Sequence, residues 1–115
     1  MDTRAVLDHH LAAFRAGDVE EIMEDYSEES VMLMHDGEIR GLEALRAAFT
    51  EFFSGEFEAG TYDFSLDALK VEGDVAYIVW HASTEAADYP VGSDTFVIRD
   101  GTIMTQTAVF KVDPK

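Results

Sequence analysis

Cysteine is absent from this 115-residue chain, which excludes disulfides and thiolate metal sites. Long apolar runs are absent as well, since no stretch approaches the ~20 residues that span a bilayer. The opening segment, MDTRAVLDHHLAAF, has acids and histidines where a signal peptide needs a basic start and an unbroken apolar run. We therefore expect a soluble, cytoplasmic protein.

Basic residues are scarce, with 8 lysines and arginines against 24 aspartates and glutamates, a formal net charge of −16. A field of this sign repels phosphate backbones and anionic lipids, so nucleic acids and membrane surfaces are not expected partners. Metal-ligand spacings, phosphate-binding glycine loops and nucleophile elbows are missing too, and we expect neither a metal nor a cofactor.

Hydrophobic residues are abundant at 47% of the chain, which is enough for one core in one domain spanning residues 1–115. Apolar residues at helical spacing predict helices over residues 3–16 and 42–54. Between them, Asp18 and Glu21 have the spacing of a capping box and predict the start of a short second helix.

Strand-like alternation dominates the rest of the chain. After a short run at residues 31–35, a period of two begins at Thr61, and turn residues then delimit strands over 75–85, 93–99 and 102–112. Three helices followed by such a meander predict an α+β fold, in which the helices pack on one face of a curved antiparallel sheet.

Three segments carry a family resemblance: AAFRAGDVEEI after the first helix begins, DG...G..ALRAAF leading into the third helix, and SDTFVIRDGTI near the carboxyl end. Together they make the chain similar to the nuclear-transport-factor-2-like superfamily, and within it to the SnoaL-like polyketide cyclases and ketosteroid isomerases. The resemblance covers nearly the whole chain. It implies a cone-shaped, cystatin-like fold and a homodimer formed through the outer sheet face. Isomerases, cyclases, dehydratases and non-enzymatic modules share this fold, so fold alone does not settle function.

Asp94 is the leading candidate site residue. Strand alternation places it on the same face as Phe96 and Ile98, which we expect to point inward. A carboxylate there would be desolvated and its pKa raised, so that it could act as an acid or hydrogen-bond donor. The resemblance places Asp94 where the isomerases keep a protonated aspartic acid. The alternative is a carboxylate bonded to a neighbouring backbone group or hydroxyl at the start of a strand.

His10 is the second candidate, because it lies on the apolar stripe of the first helix, whereas His9 should face solvent. The resemblance implies that His10 takes the place of the oxyanion-hole tyrosine of the isomerases. A neutral imidazole could donate a hydrogen bond to a carbonyl oxygen or relay a proton. The alternative is a buried histidine satisfied by a nearby carboxylate or carbonyl.

His81 is the third candidate, and its orientation is open. It alternates with Trp80, which shares its side of the strand with Ile78 and Ala82. If the Trp80 side faces outward, it suits a dimer interface, and His81 then reaches the pocket. Either side of the strand could be the inner one.

One departure from the family pattern limits the chemistry. The isomerases carry their proton-abstracting aspartate on the strand equivalent to residues 31–35, and this chain has Met34 at that position. A thioether cannot accept a proton from carbon, and Asp36, two residues later, is expected in a turn at the rim. Ketosteroid isomerisation by that mechanism is therefore not expected.

Seven further residues are predicted to line an adaptable apolar cavity, with ordinary core packing as the alternative for each: Tyr26, Met32, Met34, Phe49, Phe64, Gln106 and Phe110. We expect a pocket for a small apolar carbonyl or hydroxyl compound, with cofactor-independent acid–base chemistry of the isomerase, cyclase or dehydratase type. Asp94 would be the acid, and His10 or His81 the base or oxyanion partner. The alternatives are a ligand-binding module without chemistry and a dimerisation domain.

Overall fold

The computed structural model describes all 115 residues and has the predicted order of helices before long strands. The elements are α1 Thr3–Ala16, α2 Val19–Met23, β1 Val31–Met34, β2 Gly37–Arg40, α3 Gly41–Ser54, β3 Asp63–Glu72, β4 Val75–Ser83, β5 Ala87–Arg99, β6 Thr102–Phe110 and β7 Asp113–Pro114. No helix has both the length and the apolar character needed to cross a membrane. The cytoplasmic location expected from the sequence stays a prediction.

The strands form one curved sheet in the order β2-β1-β6-β5-β4-β3, with β7 paired to β5. Neighbouring strands are antiparallel except β1 and β6, which are parallel. The α+β class is confirmed, and the sheet is mixed rather than antiparallel throughout. The parallel pair arises because the first strand of the chain lies beside its last long strand, after the chain has crossed through α3 and the meander.

Two aspartate caps and a glycine fix the ends of the first helices, and of these the Asp18 cap is the one predicted above. Asp2 accepts a hydrogen bond from the Ala5 N–H at 2.8 Å, and Asp18 accepts one from the Glu21 N–H at 3.0 Å. Gly17 ends α1 in the left-handed region, with φ of 65°. The buried stripe of α1, which includes His10, faces strands β4 and β5 of the sheet.

The core lies between the helices and the concave face of β4, β5 and β6. Alternation along β4 buries Ala76, Ile78, Trp80 and Ala82 and leaves the intervening residues partly or fully exposed. Phe96 on β5 has no solvent-accessible surface. The inner face of the sheet is therefore the Trp80 face, which settles the orientation that the sequence left open.

Strand β5 is longer than predicted, because it begins at Ala87 and not at residue 93. Gly92 lies opposite Trp80, and the pairing shifts by a bulge between Trp80 and Ala82. A Cβ atom at Gly92 would lie 2.2 Å from two atoms of the Trp80 indole. Glycine is therefore required here so that the ring can lie against the strand backbone.

Replacing Gly92 by alanine is expected to destabilise the fold by about 1–3 kcal/mol, because the added methyl overlaps the Trp80 ring and the core must shift. Gly37→Ala is the matched control, since nothing lies within 4 Å of a Cβ there, and it should change the free energy of unfolding by less than about 0.5 kcal/mol. Urea unfolding of both variants measures this. Equal losses of unfolding free energy in the two variants would show that the packing of Trp80 does not require a glycine at position 92.

Candidate functional site

A cavity of about 400 Å³ lies between the helices and the inner sheet face. Thirteen of the 19 residues that line it are hydrophobic. They come from α1, α3, β1 and the concave side of β3 to β6. A volume of this size falls within the range of roughly 300–1,000 Å³ that is typical of small-molecule pockets.

Most of the predicted lining is found in this cavity. Asp94 and His10 lie in its wall, and so do six of the seven predicted ligand-binding residues: Met32, Met34, Phe49, Phe64, Gln106 and Phe110. Met34, which the resemblance sets in place of an isomerase aspartate, lies in the wall and makes this part of the cavity apolar.

Asp94 accepts hydrogen bonds on both of its carboxylate oxygens. The Trp80 indole N–H donates to Oδ1 at 3.0 Å, and the Gln106 amide N–H donates to Oδ2 at 2.9 Å. Burial raises the pKa of Asp94, while these two donors act in the opposite direction. Both partners are side chains, so the backbone or hydroxyl bond considered as the alternative is not what holds this group.

Gln106 is held in turn by Tyr26, whose hydroxyl donates to the Gln106 Oε1 at 2.5 Å. Because Oε1 receives this bond, the amide nitrogen of Gln106 faces Asp94. Tyr26 itself was predicted to line the cavity and does not. It is buried behind Gln106, where burial raises its pKa well above its usual range and keeps the hydroxyl protonated.

His10 is buried among aromatic rings, with centroid distances of 5.2 Å to Phe96, 6.1 Å to Tyr26 and 6.4 Å to Phe49. Burial, helped by the nearby His9, lowers its pKa to about 4, so the imidazole is neutral at pH 7. Its Nδ1 atom is buried and has no hydrogen-bond partner. The alternative of a histidine satisfied by a carboxylate is therefore not realised at this nitrogen.

His9 was expected to face open solvent. Its imidazole instead bridges two carboxylates. Nδ1 lies 2.8 Å from Asp25 and Nε2 lies 2.7 Å from Glu21. These hydrogen bonds raise the pKa of His9 to about 9, and both ring nitrogens then donate. His9, Glu21 and Glu24 also place one potential metal-ligand atom each within 4.8 Å of one another, but both nitrogens of His9 are already occupied by carboxylates.

The assignment of His81 to the site is wrong, because its side chain lies on the outer face of the sheet. It is half exposed, and its Nδ1 lies 2.8 Å from Asp67 on β3. Trp80 lies inside, and so do Ile78 and Ala82. The dimer interface expected at these three residues is therefore wrong too, since they are covered by the chain's own helices and loops.

Sequence reasoning missed the groups at the mouth of the cavity, by which we mean the part of the wall beside its exposed lining residues Glu51 and Gly55. Glu56 lines it and accepts hydrogen bonds on one oxygen, Oε1, from the hydroxyls of Thr84 and Tyr89, each at 2.7 Å. Phe57 lies beside Tyr89, with ring centroids 5.7 Å apart. Glu56 and Phe57 follow α3 in an irregular segment without periodicity, and Tyr89 precedes the strand predicted over residues 93–99, so no pattern indicated their direction.

Comparisons with known proteins agree with this architecture. Residues 7–106 match a model of the SnoaL-like domain. A crystal structure of an NTF2-like protein of unknown function from Cytophaga hutchinsonii superposes with a TM-score of 0.79 at 12% identity, covering 96% of this chain and 91% of that one. No curated protein sequence matches the chain.

Two other similar structures have names that suggest activities. One, from Shewanella denitrificans, is named a candidate SnoaL-like polyketide cyclase (TM-score 0.77, 12% identity, 95% of this chain and 90% of that one). Another, from Kribbella flavida, is named a candidate ketosteroid isomerase (TM-score 0.79, 16% identity, 95% and 77%). Identities this low show the fold and do not transfer an activity.

Removing the His10 imidazole is expected to change how stability depends on pH. Between pH 6.5 and about 4 the unfolded chain protonates His10 and the folded chain does not, so this residue weakens folding as pH falls. The stability of His10→Leu relative to the original chain should therefore rise by up to about 3 kcal/mol over that interval. Urea unfolding at a series of pH values measures it, and a constant difference would contradict a buried neutral His10.

Proposed function

We propose, from the premise that this chain belongs to the SnoaL-like domain family, that it is a cofactor-independent acid–base enzyme for a small, mostly apolar carbonyl or hydroxyl compound. The observation that carries the proposal is the pairing of Asp94 and His10 in the wall of one apolar cavity. Each has a shifted pKa, and burial is the largest cause of both shifts.

The hydrogen bonds favour Asp94 as the proton acceptor. Both of its oxygens receive N–H donors, from Trp80 and Gln106, and this arrangement suits an ionised carboxylate. Burial at the same time increases its affinity for a proton. The resemblance to the isomerases implied a protonated acid here, but donors on both oxygens fit a base that takes a proton first and returns it afterwards.

His10 suits the role of the partner that stabilises developing negative charge. With a pKa of about 4 it is neutral, so it can donate one N–H without being a proton source itself. Asp94 would remove a proton from the carbon next to a carbonyl group. The charge would move to the carbonyl oxygen, where His10 donates, and protonated Asp94 would then return the proton. In a substrate with a carbon–carbon double bond beside that carbon, the proton returns at the far end of the double bond, which thereby shifts into conjugation with the carbonyl group; without such a bond it returns to the same carbon.

A binding module without chemistry is the second candidate, and Met34 is the observation that favours it. The cavity wall is apolar where the related isomerases carry their proton-abstracting aspartate. A ligand would then be held by the apolar wall and by hydrogen bonds to Asp94 and His10, and would be released unchanged.

Exchange of the protons next to the carbonyl of β-tetralone for deuterium tests the enzymatic proposal, because it reports proton abstraction without requiring the natural substrate. The protein is expected to accelerate exchange, and Asp94→Asn to reduce the acceleration by roughly 100-fold or more, since the amide cannot accept the proton. Proton NMR in deuterated water follows the reaction. His81→Ala removes an imidazole from the outer face and should leave the rate unchanged.

The same measurement separates the two candidates. Full exchange activity in Asp94→Asn would exclude Asp94 as the base. A rise in melting temperature with β-tetralone and no accelerated exchange would favour the binding module.

We also propose that the protein is a homodimer that pairs through the outer face of its sheet. Its central strands expose three adjacent rows of uncharged side chains, aligned by the strand register: Val75, Val97 and Thr105; Tyr77, Thr95 and Thr107; Val79, Ser93 and Val109. Two copies that each carry a net charge of −16 repel one another, and an uncharged surface brings them together without opposing like charges.

Tyr77→Glu is expected to convert the dimer to a monomer, because the new carboxylate lies in the middle one of the three uncharged rows and would lose its hydration at the interface. Ala47→Glu on the exposed side of α3 adds the same charge elsewhere and should leave the dimer intact. Sedimentation equilibrium gives both masses. A monomeric original chain at high concentration would refute the dimer.

A further inference from the structure

We propose that the mouth of the cavity recognises a protonated amine, through Glu56 and the aromatic rings around it. The inference rests on the proposed function, since it concerns the same cavity, and it adds the chemical class of the compound that enters. That compound would be an amphipathic amine, with its apolar body in the cavity and a polar group directed to Asp94 and His10.

Two hydrogen bonds hold the Glu56 carboxylate in place, and both are made to the same one of its two oxygens. Thr84 and Tyr89 both donate to Oε1, and Oε2 accepts no hydrogen bond from the protein. The residue is only partly exposed and belongs to the cavity wall. A carboxylate held by two hydroxyls in this way presents a preorganised acceptor for a donor group of a ligand.

Aromatic rings stand beside this carboxylate. Phe57 lies 5.7 Å from Tyr89 and 6.3 Å from Phe52 between ring centroids, and all three residues line the cavity. The faces of such rings attract cations, and a site that combines them with a carboxylate favours an ammonium over a hydroxyl. An uncharged donor, such as a hydroxyl, would gain the hydrogen bond to Glu56 without the attraction between a cation and the rings.

The charged residues around Glu56 also favour a cationic ligand over an anionic one. Glu51 is a third acid in the cavity wall, after Glu56 and Asp94, and no lysine or arginine is among the lining residues. The nearby Lys115 donates to the carbonyl of Thr84 and to Ser83, and does not pair with Glu56. A ligand carboxylate or phosphate would therefore find acids, and no cationic side chain with which to pair, in the cavity wall.

The two polar ends of the cavity are well separated. Tyr89 precedes Asp94 by five positions on β5, which corresponds to roughly 15 Å of extended backbone. Trp80 lies between them, because its ring is 6.1 Å from that of Tyr89 and its N–H reaches Asp94. A ligand that contacts both ends would need an apolar body several bonds long.

Binding of three probes of equal length tests the inference: phenylbutylamine, phenylbutanol and phenylbutanoate, measured by isothermal titration calorimetry at pH 7. The amine is expected to bind at least ~10-fold more tightly than the alcohol, and the carboxylate most weakly. In Glu56→Gln the preference of amine over alcohol should fall to roughly threefold or less. The glutamine oxygen can still accept from Thr84 and Tyr89, so the mouth should keep its shape.

Glu58→Gln is the matched control, because it removes the same charge from a neighbouring hollow outside the cavity wall. It should keep the full amine preference. Equal binding of amine and alcohol, or an unchanged preference in Glu56→Gln, would overturn the inference and leave the proposed function standing. Failure of all three probes to bind would also overturn the inference, whereas the proposed function stands or falls with the exchange of β-tetralone.

Discussion

The contact between Trp80 and the backbone of Gly92 determines the geometry of the cavity wall. Because Gly92 has no side chain, the indole lies across strand β5, and its N–H reaches Asp94 two residues further along that strand. The same ring stacks on Phe64, with centroids 5.4 Å apart. A single tryptophan thus forms part of the apolar surface and also positions the one carboxylate of the inner wall that has N–H donors on both oxygens.

The polar groups of this wall differ in how many of their hydrogen-bonding atoms have partners. Asp94, Gln106 and Tyr26 form a continuous chain of hydrogen bonds with defined donors and acceptors. His10, beside them, has a buried nitrogen without a partner, and an unpaired buried polar atom costs roughly 1–3 kcal/mol. Proteins retain such a cost mainly where function needs it, which sets His10 apart from an ordinary core residue.

Periodicity in the sequence was sufficient for the fold and for half of the site. Helical spacing placed His10 on the buried stripe of α1, and alternation placed Asp94 inward beside Phe96. Alternation could not tell which side of β4 is inner, since both His81 and Trp80 are compatible with either side until the helices are positioned. Glu56 and Tyr89 lie at an irregular connection and a bulged strand, where the period of two no longer predicts direction.

The hydrogen bond between Tyr26 and Gln106 joins residues 80 positions apart, and Ser30 bonds the carbonyl of Ile103 across 73 positions. Closing loops of that length is entropically costly and slow compared with forming the local hairpins. The polar wall is therefore completed only when the segment that carries Tyr26 and Ser30 docks against β6. The β4-β5-β6 meander alone can hold Asp94 between Trp80 and Gln106, but without the helices and β1 it has neither His10 nor an enclosed cavity.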